Sequence, residues 1–155
     1  MKRKLHYNDN KLKHVIIRFY RYVFYFHRMI MPFLTIAPSP KGGRGVFTTK
    51  NIPAGTVLEV SPVLVLTAKE RKAIETTKLF HYVFEWGKTR KQCCVAFGNI
   101  SMYNHDYNAN CIYEMDFDEK TMSIITIKKI AKGEELFINY NAEPDDKTKV
   151  WFDAK

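Results

Sequence analysis

No Cys-x-x-Cys pair occurs in this 155-residue chain, and its three cysteines, Cys93, Cys94 and Cys111, are an odd number. The first absence removes the paired spacing of a zinc module, and the second argues against a disulfide framework. Successive residues of a strand face opposite sides, so Cys93 and Cys94 are not placed to share one metal ion. The expectation is buried thiols in a reducing, cytoplasmic setting, with no bound metal. Also missing is an uncharged run long enough to cross a bilayer. Residues 12–34 are the most apolar stretch, yet Arg18 and Arg21 would lie near its middle, at a cost of about 3 kcal/mol each. No small-residue cleavage site follows it, which makes it a poor secretion signal.

The body of the chain has little excess charge. The formal net charge of +9 suggests a polyanion partner until its distribution is followed. Residues 1–32 hold eight Lys or Arg against Asp9 alone, a charge of +7, and the remainder holds 17 basic against 15 acidic residues, a charge of +2. Contact with nucleic acid or a membrane is therefore possible only through residues 1–32. Three readings of that basic, aromatic extension stay open. It is a helix lying on a membrane or a partner, or it packs on the domain, or translation starts at Met29 or Met31 and it is not part of the working protein. The rest is expected to be one domain, residues 33–145, large enough to bury a real core, with a short flank over residues 146–155.

In chain order, Pro38-Ser39-Pro40-Lys41-Gly42-Gly43 reads as a loop. Arg44 to Thr49 reads as a short strand, and Thr56 to Leu66 as a longer one in which Pro62 marks an edge or a bend. Ala68 to Leu79 has helical composition with Thr67 as its N-cap. The aromatic run Phe80 to Trp86 is expected to pack that helix onto a sheet. Gln92 to Phe97 is a further strand, and Ile112 to Phe117 with Met122 to Ile127 form a hairpin around Asp118-Glu119-Lys120. Many short strands and little helix make the class mostly β. A short echo also stands out: Lys50 to Gly55 and Lys128 to Gly133 share Lys-x-Ile-x-x-Gly, with Leu58 and Leu136 three residues past the glycine. This reads as a shared turn, with isoleucine plugging the core and glycine supplying backbone freedom.

Two stretches carry the chemistry. Asn99-Ile100-Ser101-Met102-Tyr103-Asn104-His105, running on to Asn110-Cys111, sets amide, imidazole and phenol groups between strand-like runs. Gly133-Glu134-Glu135-Leu136-Phe137-Ile138-Asn139-Tyr140 answers it. Polar residues so placed are either satisfied in a core or aimed at a ligand. Together with Gly43-Arg44-Gly45-Val46-Phe47 upstream, these stretches resemble, in order and spacing, the Gly-x-Gly, Asn-His and Gly-Glu-Glu-Leu-x-x-x-Tyr motifs of SET-domain protein lysine methyltransferases. The resemblance runs from about Phe33 onward and does not reach the first thirty or so residues.

It implies a β-clip of short curved sheets in which the C-terminal segment passes beneath the Asn-His loop in a knot-like threading. It implies methyl transfer from S-adenosylmethionine to the side-chain amine of a protein or peptide lysine. The backbone at Gly43, Arg44 and Gly45 would approach the methionine part of the cofactor, Asn104 would hydrogen-bond its amino-acid end, and His105 would present backbone groups to the adenine. Tyr140 would be catalytic, its phenol orienting the amine where amine and methyl meet.

The departures are as telling as the matches. Asp106-Tyr107-Asn108-Ala109 replaces the family's Ser-Cys-x-Pro, which should alter the loop's rigidity. Ser61 stands where many members carry a second tyrosine, so a two-tyrosine channel is not implied. Ile138 stands where members often place Phe or Tyr, and the extra room favours di- or trimethylation. Many members add a cysteine-rich zinc segment; no cysteine follows Cys111, so none is expected, and Trp151-Phe152 would fold over the lysine channel instead. The rival class is a non-catalytic SET fold that binds a partner, resting on the changed 106–109 loop. A third is a binder driven by the basic extension.

Overall fold

The chain's alternation of short apolar runs and turns resolves, in the computed structural model, into nine strands and one short α-helix among the residues it describes, 30–150. The readings made for residues 1–28 and for Trp151-Phe152 lie outside them. The strands are β1 (Leu34–Pro38), β2 (Arg44–Thr48), β3 (Val57–Leu66), β4 (Val83–Trp86), β5 (Gln92–Ala96), β6 (Asn104–His105), β7 (Cys111–Asp116), β8 (Thr121–Thr126) and β9 (Glu135–Ile138). One sheet has the order β1-β2-β9-β6 and the other β4-β5-β3-β8-β7. The expected class, mostly β with little helix, holds. Within the first sheet β9 runs antiparallel to β2 and parallel to β6, so the C-terminal motif lies between the two upstream ones. No helix of the described residues is long and apolar enough to cross a membrane.

Pro62 marks a bend in an interior strand. Val57 to Pro62 pair with β8, whereas Val63 to Leu66 pair with β5. Proline has no N–H to give, and it stands where the strand changes partners. Its carbonyl accepts from Phe97 N–H at 3.1 Å, and Val63 N–H turns to Lys120 O at 2.9 Å. β8, flanked by β3 and β7, is buried almost along its length.

The helix, α1 (Ala68–Ile74), begins as expected at Thr67. Thr67 Oγ1 accepts from Glu70 N–H, and the Glu70 carboxylate reaches back to Thr67 N–H at 2.8 Å, a capping box. It stops short of Leu79. The β-branched pair Thr76-Thr77 follows, and Thr77 Oγ1 donates to Ile74 O at 2.8 Å, closing the last turn with a side chain. A 3-10 turn then spans Lys78–Tyr82. The aromatic run is also corrected: Val83–Trp86 is a strand paired with β5. Arg71 of α1 reaches that strand, with its guanidinium 3.2 Å from Glu85.

The two echoing turns pack against each other. Ile52 and Ile130, both buried, exchange backbone hydrogen bonds of 2.8 and 2.9 Å. Around them the bonding repeats with the roles exchanged. Gly55 N–H donates to Thr126 O and Gly133 N–H to Thr48 O, each at 2.7 Å. Thr48 N–H donates to Glu134 O, and Thr126 N–H to Thr56 O. Gly55 and Gly133 have φ of +80° and +88°, in the left-handed region that favours glycine. Leu58 and Leu136 enter the core on either side. The motif is thus a local two-fold, each turn supplying the partners the other needs. Ile130→Ala should lower stability by about 2–4 kcal/mol, read as a lower denaturant midpoint with an unchanged slope. A wild-type midpoint would show that the buried Ile130 side chain carries no weight.

Candidate functional site

Three motif strands meet at one carboxylate. Glu135, on β9 and 7% exposed, accepts from Asn104 Nδ2 of β6 at 2.7 Å through Oε1 and from Ser39 Oγ at 2.9 Å through Oε2. The same Asn104 nitrogen donates to Arg44 O at 3.2 Å. Gly45 of β2 lies against this cluster: a Cβ there would fall 1.9 Å from Glu135 Oε1 and 2.9 Å from Asn104 Nδ2. The second glycine of the Gly-x-Gly motif is therefore required for space. Ser39 also shapes the turn ahead of β2, accepting from Lys41 N–H through Oγ and donating its own N–H to Gly43 O. Lys41 ties that turn to the Asn-His loop through a 2.8 Å ion pair with Asp106.

The bonds of Asn104 fix the orientation of its amide. Both amide hydrogens are directed at protein acceptors, so what the side chain presents beyond them is the acceptor Oδ1. His105, buried beside it, accepts the Tyr140 N–H at Nδ1 over 3.1 Å, which puts the ring proton on Nε2. Its ring packs edge-on to Tyr107 and tilted against Tyr140, with centroids 4.4 and 5.2 Å apart. Burial holds its pKa below the ordinary histidine value, opposed by the Asp106 charge and assisted by Lys41. Tyr140 donates its phenol hydrogen to Tyr103 O at 2.9 Å, and burial pushes its pKa up to about 12.

A cavity of about 240 Å³ opens between these elements. Of the residues singled out in the sequence, Gly43, Arg44, Asn104 and Tyr140 line it; Gly45 and His105 do not, lying against the groups that do. The other walls come from Gly42, from Ser101 and Met102 just before Asn104, and from His81 and Tyr82 on the 3-10 turn after α1. Ser101 and Met102 adjoin the Asn-His pair, so adjacency could have found them. His81 and Tyr82 carry no local signal of their destination. Glu135 sat in a recognised motif without a role.

The departures also resolve. Asn110 clasps β9, donating from Nδ2 to Glu135 O and accepting Phe137 N–H at Oδ1, each at 2.8 Å. The altered 106–109 loop is pinned by its own side chains. Asp106 accepts Asn108 N–H, Lys128 Nζ bonds Asn108, and the Tyr107 hydroxyl accepts Val150 N–H at 3.1 Å. Ser61 is buried and donates to Glu59, and Ile138 is fully buried in the core; neither lines the cavity. Cys93, Cys94 and Cys111 are free and buried, and burial pushes the Cys94 and Cys111 thiols up to about 12. Among the described residues, no group of three or more His, Cys, Asp or Glu is placed to hold a metal ion.

The SET-domain sequence profile matches residues 43–141. A histone-lysine N-methyltransferase of Schizosaccharomyces pombe, specific for H3 lysine-37, is 32% identical over 121 residues, covering 77% of this chain and 77% of that protein. Histone-lysine N-methyltransferase 2B of Homo sapiens is 31% identical over 111 residues, which are 67% of this chain but 4% of that protein. A crystal structure of a candidate histone methyltransferase from Plasmodium falciparum shares the fold, with a TM-score of 0.56 and 22% identity over 71% of this chain and 98% of that one. The chain belongs to the SET-domain family of protein-lysine methyltransferases.

His105 gives the site a pH dependence. Its folded pKa is depressed, so the stability it contributes is complete above its unfolded value of about 6.5 and is lost as pH falls through the folded value. The melting temperature should therefore drop further between about pH 7.5 and about pH 5.5 in the wild type than in His105→Gln. Equal drops would assign the acid sensitivity to other groups.

Proposed function

We propose that this protein transfers a methyl group from S-adenosylmethionine to the side-chain amine of a protein lysine, with histone tails as the substrate class indicated by its relatives. The observation that carries this reading is the convergence of the Gly42–Arg44 backbone, Asn104 and Tyr140 on one cavity. The residues fit the cofactor's amino-acid end: Asn104 presents an acceptor for an ammonium group, and the glycine turn lets backbone come close. When bound, the cofactor supplies an electrophilic methyl group, so the chemistry asks the protein mainly for alignment.

Each residue has a part in that alignment. Asn104 Oδ1 would accept from the cofactor's ammonium, with Glu135 holding the amide in place. His105 fixes the backbone from which Tyr140 projects. Because Tyr140 gives its hydrogen to Tyr103 O, its oxygen meets an incoming amine as an acceptor and orients the nitrogen's lone pair. The amine must be neutral to react, and free lysine has a pKa of about 10.4. Tyr82 and Met102 supply aromatic and apolar wall, the kind of surrounding that disfavours the ammonium form. The three free thiols support a reducing place of action inside the cell, the cytoplasm or the nucleus.

Tyr140→Phe keeps the ring and removes the oxygen. Turnover should fall at least tenfold, about 1.4 kcal/mol of transition-state stabilisation, with cofactor affinity little changed. Asn104→Ala should do the converse, weakening cofactor binding first. Both are measured with purified histones and labelled cofactor. A folded Tyr140→Phe protein that binds cofactor and turns over at the wild-type rate removes this mechanism. Label appearing only on non-histone bands of a whole-cell extract removes the histone assignment.

A further inference from the structure

Glu135 is a buried group with no part in the scheme above beyond anchoring Asn104. Both of its oxygens act as acceptors, from Asn104 Nδ2 and from Ser39 Oγ, which is the bonding pattern of a carboxylate. Neither donor is a cation. The ion pair nearby, Lys41 with Asp106, is internally matched. A carboxylate taken out of water and bonded only to neutral groups keeps its field, because little solvent is present to screen it. It is bonded to Asn104, which lines the cavity and whose amide also reaches the main-chain carbonyl of Arg44, a second lining residue that is itself exposed.

We propose that Glu135 is a specificity-determining residue that favours the positively charged cofactor over its neutral product. This rests on the reading of the cavity as the S-adenosylmethionine site. S-adenosylmethionine carries a sulfonium and S-adenosylhomocysteine an uncharged thioether; the two are otherwise alike apart from the transferred methyl. A fixed negative charge behind the cavity wall attracts the sulfonium of the first and finds no charge at the sulfur of the second. The device tightens the reactant's hold and leaves the product's unchanged, without contact between Glu135 and either. Gly45 is part of it, since any larger residue there would displace the carboxylate. Ser39 holds the second oxygen and so keeps the charge facing the turn.

The test is binding, by isothermal titration, of three ligands to the full chain: S-adenosylmethionine, S-adenosylhomocysteine, and an analogue bearing an ammonium in place of the sulfonium. The wild type should bind both cationic ligands at least about tenfold tighter than S-adenosylhomocysteine, about 1.4 kcal/mol. Glu135→Gln, which keeps the shape and can still bond Asn104 and Ser39, should bring the three affinities to within about threefold of one another. Ser39→Ala retains the charge and should retain most of the preference. A Glu135→Gln protein that loses affinity equally for all three ligands would make the residue purely structural and overturn the proposal. If Glu135→Gln fails to fold, the wild type decides: equal affinity for charged and neutral ligands overturns it as well. Failure of the wild type to bind any of the three would instead overturn the functional reading beneath it.

Discussion

The junction of the three motifs depends on one half-buried hydrogen bond, from Asn104 to Glu135. A carboxylate withdrawn from water without partners costs several kcal/mol or neutralises, so a chain that buries Glu135 has to bring donors to it. The donors come from remote segments: Ser39 from the turn before β2 and Asn104 from β6. The close packing in turn leaves no room for a side chain at position 45. Three motifs that look independent along the chain are thus three sides of one satisfied polar group.

The rest of the fold holds this junction in place. Asn110 fastens β9 by two backbone bonds, and the paired turns at Ile52 and Ile130 fix the ends of β2 and β9 relative to each other. Imidazole and phenol work together in the same way. His105 binds the backbone of Tyr140, and Tyr103, one residue before the Asn-His pair, receives the Tyr140 hydroxyl. A histidine next to the cavity-lining residues invites an acid-base role, but this ring is buried, its pKa is held below the ordinary histidine value, and its Nδ1 is engaged with main chain.

Most of the strands were legible because their apolar runs and turn residues are local facts. The cap at Thr67 was legible for the same reason. β1 was not: Leu34 to Pro38 is short, ends in proline and takes its stability from pairing with β2. β4 was hidden in an aromatic run whose partner, β5, was needed to define it. The site divided along the same line. Gly43, Asn104 and Tyr140 could be named from motifs, whereas His81 and Tyr82 reach the cavity only because a helix ends early and a 3-10 turn follows. The echo of Lys-x-Ile-x-x-Gly gave each turn's local form but not their mutual pairing, since backbone bonds across such a separation leave no mark on either segment alone.

The place of β9 between β2 and β6 has a consequence for the order of events during synthesis. Until residues 135–138 have emerged, β2 and β6 have no common neighbour, and Asn104 lacks its carboxylate. The turn at Ile52 likewise waits for Ile130. Non-local pairings of this kind are slow to form because the intervening chain must be closed into a loop first. The larger sheet, whose strands all precede Ile127, needs nothing from the segment that supplies β9. A chain lacking the residues from Gly133 on therefore carries most of its hydrophobic strands but not the junction of Asn104 with Glu135. The four-residue strand β9 is thus the piece that closes the smaller sheet.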